Sequence, residues 1–423
     1  MNINNKMYDA IVLGRGPLGV YTSKFLSEQN IKVLNIDAGK RQSKLKNKTF
    51  VNSNVNWRGI EQMPSLDSSV SPYSWTGACM GWPKEDLDIL PIKQKELTQS
   101  EKSINNFFDI SNFDFGSNLP TYKLNYENEN LVYAKVIKDV QLLKIQSKLD
   151  NSKNYTLLDN TVAHQIKFDN NNISIICRDS DTSEEAVYYA NKLYLCLGGV
   201  ENTRLLLQSS ELNINRNFLG NNLSDHLALP VAKVLSFNFQ EDRNSFDYIP
   251  EDANFHLWPK LVDRNNLSNK KRFSGYTTEF KKLIYKLGTY YLNVYTEKVE
   301  NKSTNISLNN ENLQINFYVD EKDLSCIDNA TKSVTSTLRK NGLKIPYRKI
   351  SNDDILQNID TGKHPSGTTK MSLAPDDGVV NKYSQLWKHD NIFVFGSSTF
   401  PKSSYIHPTF PALSFANYSL KNT

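Results

Sequence analysis

The chain has 423 residues, 39% of them hydrophobic and 22% charged, with a net charge of +5. That length predicts two or three domains with a substantial core, and so small a charge imbalance speaks against a nucleic-acid partner. Four widely spaced cysteines, Cys79, Cys177, Cys196 and Cys326, lack metal-ligand spacing and point to neither a disulfide framework nor a metal site; with no signal-like or membrane-spanning apolar run, the expectation is a cytoplasmic protein without a membrane span.

The first predicted unit is Tyr8–Gly39. An apolar run, Ala10–Leu13, meets Gly14-Arg15-Gly16-Pro17-Leu18-Gly19; a helical segment reaches about Gln29, and a second apolar run, Ile31–Ile36, ends on Asp37-Ala38-Gly39. In a strand–turn–helix–strand unit each glycine has a task. Gly14 permits the tight turn, Gly16 lets a pyrophosphate approach the backbone, and Gly19 lets the helix pack closely. Pro17 suits the first helical position, and with Leu18 it opens a helix end whose free N–H groups and dipole favour phosphate. Asp37, eighteen residues after Gly19, is spaced to bind the hydroxyls of an adenosine ribose. The fingerprint leaves open which dinucleotide is bound.

From Gly39 to about Asn130 periodicity is lost, and Trp57, Tyr73, Trp75 and Trp82 stand among glycines and prolines, a pattern that suits a loop held against a ligand. Asn130–Gln146 alternates apolar and polar positions. Tyr155–Leu158, Val162–Phe168 and Ile173–Cys177 read as short strands. Lys192–Leu197 is an apolar strand ending on Gly198-Gly199, followed by a helix to Leu207. This second strand–glycine–helix junction is expected beside the first on a shared parallel sheet. From about Ala228 to Asp360 the pattern becomes that of an antiparallel sheet, with strands over Val231–Phe239, Thr289–Tyr295 and Leu313–Val319. A helix over Asp323–Asn341 stops at Gly342. Tyr290, Tyr291 and Tyr295 are either core residues or a stacking surface for a sugar ring. The chain closes with a buried strand, Asn391–Gly396, a loop, and a helix over Pro411–Leu420.

Two histidines flank that last strand, 43 residues apart: His364 in His-Pro-Ser-Gly-Thr-Thr-Lys-Met and His407 in His-Pro-Thr-Phe-Pro-Ala. Each precedes a proline, which biases it to extended backbone. Paired imidazoles in one cleft suit alcohol oxidation, where a hydroxyl proton must be accepted as hydride leaves the carbon. The alternative is a pair of structural histidines.

Taken together these segments resemble the glucose–methanol–choline (GMC) oxidoreductases, FAD-dependent alcohol oxidases and dehydrogenases. Asp37-Ala38-Gly39 is similar to the family's Glu-Ala-Gly, and Val162 falls where the family contacts adenine. Leu197-Gly-Gly-Val-Glu-Asn-Thr-Arg-Leu-Leu-Leu207 and Phe218-Leu-Gly-Asn-Asn-Leu-Ser-Asp-His226 resemble two further family segments, and the His364 and His407 motifs its carboxyl-terminal pair. The resemblance implies FAD as cofactor, with contacts extending to Gly198. It makes His364 the base beside flavin N5, His407 the residue that orients the hydroxyl, and Pro408 and Thr409 neighbours of the pyrimidine edge. Asp225 and His226 would stabilise the loop around the cofactor; His164, His256 and His389 receive no role. The glycine-rich flavin loop has as its best counterpart Val70–Gly77, with Ser74 and Trp75 but no paired glycines. Gly396, followed by Ser397, stands where many members carry Asp near the ribityl chain.

The implied fold is α/β: an FAD-binding, Rossmann-like doubly wound domain over 1–227 and 361–423, with a smaller α+β substrate domain, mostly an antiparallel sheet, over 228–360. The implied partners are a small-molecule alcohol, such as a sugar hydroxyl, and an electron acceptor such as oxygen. The rival readings are an NAD(P)-dependent Rossmann oxidoreductase, a non-catalytic FAD-binding protein and, on the same scaffold, non-redox lyase chemistry.

Overall fold

The computed structural model describes residues 2–39, 49–55, 78–79, 81–82, 84–108, 131–132, 135–136, 139–169, 172–235, 247–248, 255–261, 289–298, 301, 303–340, 350–362, 364–404 and 407–423. The expected loop Val70–Gly77, with Ser74 and Trp75, lies outside these residues, as do the side chains of Tyr290, Tyr291 and Tyr295.

The first half of the chain contains, in order, β1 (Asn2–Leu13), α1 (Pro17–Glu28), β2 (Val33–Ile36), β3 (Thr49–Ser53), β4 (Ala78–Cys79), α2 (Gln94–Phe107), β5 (Leu131–Val132) and β6 (Lys135–Val136). There follow α3 (Asp139–Asp150), β7 (Tyr155–Leu158), β8 (Thr161–Asp169), β9 (Asn172–Asp179), β10 (Glu185–Leu195) and α4 (Gly198–Gln208). Strand β1 shows why the centre is parallel. Ala10 and Val12 face one layer with Val20, Tyr21 and Leu26 of α1, while Ile11 and Leu13 face the opposite layer with Leu205 and Leu206 of α4. Side chains alternate along a strand, so four consecutive apolar residues bury both faces, as a parallel sheet requires.

The strands β7, β2, β1 and β10 lie parallel in that order, so the two strand–glycine–helix junctions do stand side by side. Tyr155–Leu158 extends this parallel sheet, whereas β8 and β9 form an antiparallel hairpin beyond β10. Two stretches differ from their sequence reading. The aperiodic region contains α2, whose buried face mixes Leu97 and Ile104 with Ser100, Glu101 and Asn105, so polar burial blurs the helical period. Asn130–Gln146, read as alternating apolar and polar positions, spans more than one element. It holds β5, β6 and the start of α3, whose Leu142, Ile145 and Leu149 share a buried helix face.

The second half contributes β11 (His226–Leu235), β12 (Asp247–Tyr248), β13 (Phe255–Leu261), β14 (Thr289–Glu297), β15 (Asn305–Asn309) and β16 (Asn312–Phe317). Then come α5 (Glu321–Lys340), α6 (Asn352–Asn358), β17 (Asp360–Thr361), β18 (Ile392–Val394) and α7 (Thr409–Asn422). Six strands, β17-β11-β14-β13-β12-β5, form a sheet in which every pairing is antiparallel. The β15–β16 hairpin takes β3 alongside β16 in parallel. Leu313, Ile315 and Phe317 alternate inward from β16 and pack with Leu324 and Ile327 of α5 and Leu227 and Leu229 of β11.

Strand β18 returns to the first sheet and pairs in parallel with Leu193–Leu195, the distal end of β10, whose near end holds β9. Helix α7 then lies buried along most of its length. Phe410, Leu413 and Ala416 enter one core layer and Phe415 and Tyr418 the other, while the Tyr21 hydroxyl donates to Asn417 Oδ1 at 2.7 Å, pinning α7 to α1. Among the described residues no helix is long and apolar enough to cross a membrane, and no cluster of His, Cys, Asp and Glu could hold a metal ion.

Candidate active site

The opening turn is tight because its glycines leave no room for more. Gly14 has φ of +94°, and a Cβ there would lie 2.6 Å from the Cys196 carbonyl oxygen; one on Gly19 would lie 2.0 Å from the Gly14 carbonyl oxygen. Gly16 differs: a Cβ would meet no atom within 4 Å, so the turn opens on that side. Pro17 takes the first position of α1 with Gly16 as its N-cap, and Leu18 follows it half-buried. Asn35, fully buried on β2, donates from Nδ2 to the carbonyls of Val12 and Gly14 at 2.8 and 2.9 Å, bracing the turn from below. The sequence reading passed over Asn35; a polar residue within an apolar strand was the only signal.

Asp37, at the end of β2, accepts from the backbone N–H of Arg15 at 2.8 Å and of Gly39 at 3.1 Å. The acid is therefore oriented by the turn and by the Ala38-Gly39 segment after it. Its own carbonyl accepts from Thr161 N–H, which brings Val162 at the start of β8 to the same end of the sheet. These residues fit a dinucleotide: an open glycine edge, a helix N-terminus and an oriented carboxylate.

The second junction faces the carboxyl-terminal segments. Gly198 has φ of +85° and open space where a Cβ would be, whereas a Cβ on Gly199 would lie 2.2 Å from the Pro365 carbonyl oxygen. That carbonyl also accepts from the Ser397 hydroxyl at 2.7 Å, so Ser397 holds the His364-Pro365 segment against α4. Gly396 adopts φ of +148°, a backbone that an Asp side chain would strain. Asn202 joins the two ends, accepting from Leu197 N–H and donating to the Phe395 carbonyl.

Here the histidines converge. The rings of His364 and His407 lie 5.5 Å apart at 81°, edge to face. Pro408 caps α7, which begins at Thr409, so the positive end of that helix adjoins the imidazoles. A third ring completes the group. His226 is 5.0 Å from His364 between centroids, with the two Nδ1 atoms 3.2 Å apart. Asp225 Oδ1 accepts from the backbone N–H of both His226 and His364, at 2.7 and 2.9 Å. Gly362 sits against both rings: a Cβ there would lie 3.0 Å from His226 Nδ1 and 3.1 Å from His364 Nδ1. Burial first, and then the His407 charge, push His364 down to about 3. Burial also holds His226 well below the ordinary histidine value, with the His364 and His407 charges acting in the same direction. Both imidazoles are thus neutral near pH 7. His389 is elsewhere, its Nε2 2.7 Å from the Leu212 carbonyl, and His164 is half-buried on β8.

Residues 299–416 match the family model described as GMC oxidoreductase. No curated protein matches the chain in sequence. Among solved structures, pyridoxine 4-oxidase from Mesorbium loti is similar over 98% of this chain and 98% of its own, at 15% identity with a TM-score of 0.70. Formate oxidase from Aspergillus oryzae RIB40, solved as the R554A variant in a study of FAD modification, covers 99% and 98% at 13% identity with a TM-score of 0.61. The family match thus covers residues 299–416, and the whole chain carries the fold of these two oxidases.

Proposed function

We propose that the protein is an FAD-dependent oxidoreductase that removes hydride from the CH–OH group of a small alcohol, with His364 as base. The observation that carries this reading is the convergence of His364 and His407 from separate tail segments, at a helix N-terminus and beside the second glycine junction. FAD, when bound, supplies the hydride acceptor. Gly14, Gly16, Gly19 and the start of α1 would hold its diphosphate, and Asp37 its ribose. The β8 start at Val162 would border the adenine, and Gly198, Gly396, Pro408 and Thr409 would border the flavin portion. Residues 1–227 with 361–423 form the cofactor unit, and 228–360 cover the substrate side.

The chain's own part in the reaction is proton handling. His364, neutral because burial disfavours its cation, accepts the substrate hydroxyl proton as the hydride leaves. His407 orients the same hydroxyl across the ring pair. The α7 N-terminus favours negative charge that develops alongside it. An electron acceptor such as oxygen would complete the turnover.

Purified protein should be yellow, and the flavin should bleach anaerobically on addition of an alcohol substrate. His364→Ala should slow bleaching by about 10²- to 10⁴-fold, the range of general acid–base catalysis, with flavin still bound. Bleaching at the parent rate would remove His364 from the chemistry. Flavin that no alcohol reduces would instead favour a non-catalytic FAD-binding protein.

A further inference from the structure

We propose that His226 is the positioning residue that sets the tautomer of His364, so that His364 carries its proton on Nδ1 and presents a bare Nε2 to the substrate hydroxyl. The inference rests on His364 being the base. It begins from the 3.2 Å contact between the Nδ1 atoms of the two rings. In two neutral imidazoles such a contact needs one N–H and one lone pair. Geometry around His226 decides which ring has which.

The His226 ring is also hydrogen-bonded to the Ser404 backbone, in the sense that favours a proton on the imidazole. The Ser404 N–H is already given to Glu297 Oε1 at 2.9 Å, and the Ser403 hydroxyl donates to the same oxygen at 3.2 Å. What Ser404 offers His226 is its carbonyl, which only accepts. His226 must therefore carry its proton on the nitrogen turned to Ser404. Its Nδ1 faces His364, so the proton is on Nε2 and Nδ1 is a lone pair. His364 then donates from Nδ1, and its Nε2 is unprotonated.

The arrangement is held on three sides. Asp225 Oδ1 fixes both backbone N–H groups, Gly362 leaves no slack beside either Nδ1, and Glu297 secures the Ser403-Ser404 loop. Lys402 adds an ion pair to Glu297 Oε2 at 3.0 Å. When Nε2 takes the hydroxyl proton, the resulting imidazolium keeps its Nδ1–H on the His226 lone pair, and His226 itself does not change protonation. A histidine whose proton sits on the wrong nitrogen cannot act as base, and misassigned tautomers in catalytic imidazoles cost up to about 10⁴-fold.

The test is ¹⁵N NMR of histidine-labelled protein, with the His364 signals identified by their loss in His364→Ala, read together with anaerobic flavin reduction. In the parent, His364 should show a protonated Nδ1 and a bare Nε2. His226→Leu should move it toward the Nε2–H form and slow flavin reduction by about 100-fold, with KM little changed and flavin retained. His226→Asn, whose side-chain carbonyl can still accept from Nδ1–H, should stay within about tenfold of the parent. A bare Nδ1 in the parent spectrum, or a leucine variant with the parent tautomer and rate, overturns the proposal. Should the leucine variant not fold, the parent spectrum and the asparagine variant decide it. Parent-rate reduction in His364→Ala would instead overturn the assignment of the base, an outcome read separately from the tautomer.

Discussion

His364 owes its chemistry to where it sits rather than to its type. An imidazole in water titrates near 6.5; sheltered here and faced by His407, this one is pushed down to about 3. The consequence for stability has a definite sign. Below about 6.5 the unfolded chain takes up a proton at this position and the folded chain does not, so stability falls as pH drops from about 6.5 toward 3 and rises with pH across that window. His364→Asn removes the effect. Urea midpoints at pH 7 and pH 5 should therefore lie closer together in the variant than in the parent. An unchanged gap would show that His364 is protonated in the folded protein.

At the scale of elements, the strand–glycine–helix junction is a packing problem solved by the absence of atoms. Ala is favoured over Gly within a helix by about 1 kcal/mol, so Gly19→Ala would ordinarily stabilise α1. Here the added Cβ would lie 2.0 Å from the Gly14 carbonyl oxygen, and backbone cannot yield as a flexible side chain can. The clash should win by about 1–3 kcal/mol, the usual cost of overpacking, and the displaced turn should release flavin more readily. A thermal melt and flavin retention after desalting check both effects; a raised melting temperature with full retention would refute the argument. Strand β10 is the second device at this scale. By pairing with β9 at one end and β18 at the other, it brings residues before 200 and after 390 into one sheet, and so carries Pro365 and Ser397 to Gly199.

Across the whole molecule, one buried ion pair ties α5 to the end of β14, beside the imidazole group. Lys298 Nζ and Asp323 Oδ2 are 2.9 Å apart, both side chains fully buried. The Lys298 backbone N–H donates to the Asp225 carbonyl, and at the start of α5 the Asp320 N–H donates to Asp323 Oδ2 while the Asp323 N–H donates to Asp320 Oδ1. Removing one partner strands the other charge in the core. Asp323→Ala should thus cost about 3–5 kcal/mol, while the double replacement Lys298→Met with Asp323→Leu should cost far less. Chemical denaturation of the two variants tests this; equal losses would mean that packing, not charge, holds α5 to β14.

The opening unit was legible because period and punctuation agree there: four apolar residues, three spaced glycines and an acid at the expected distance. Likewise the alternation of Leu313, Ile315 and Phe317 and the helical spacing of Leu324 and Ile327 follow from local rules that a single segment obeys by itself. Helix α2 was not legible, since Ser100, Glu101 and Asn105 are buried only because α7 and its neighbours cover them. By itself the amino-acid order determined the opening strand–glycine–helix–strand unit, the β16 alternation and the two His-Pro segments that stand out near the carboxyl end. Only the tertiary structure decided that Asn35 braces the glycine turn and that His226 meets His364 across 138 residues. Such contacts arise from the folding together of distant segments, and no local pattern encodes them.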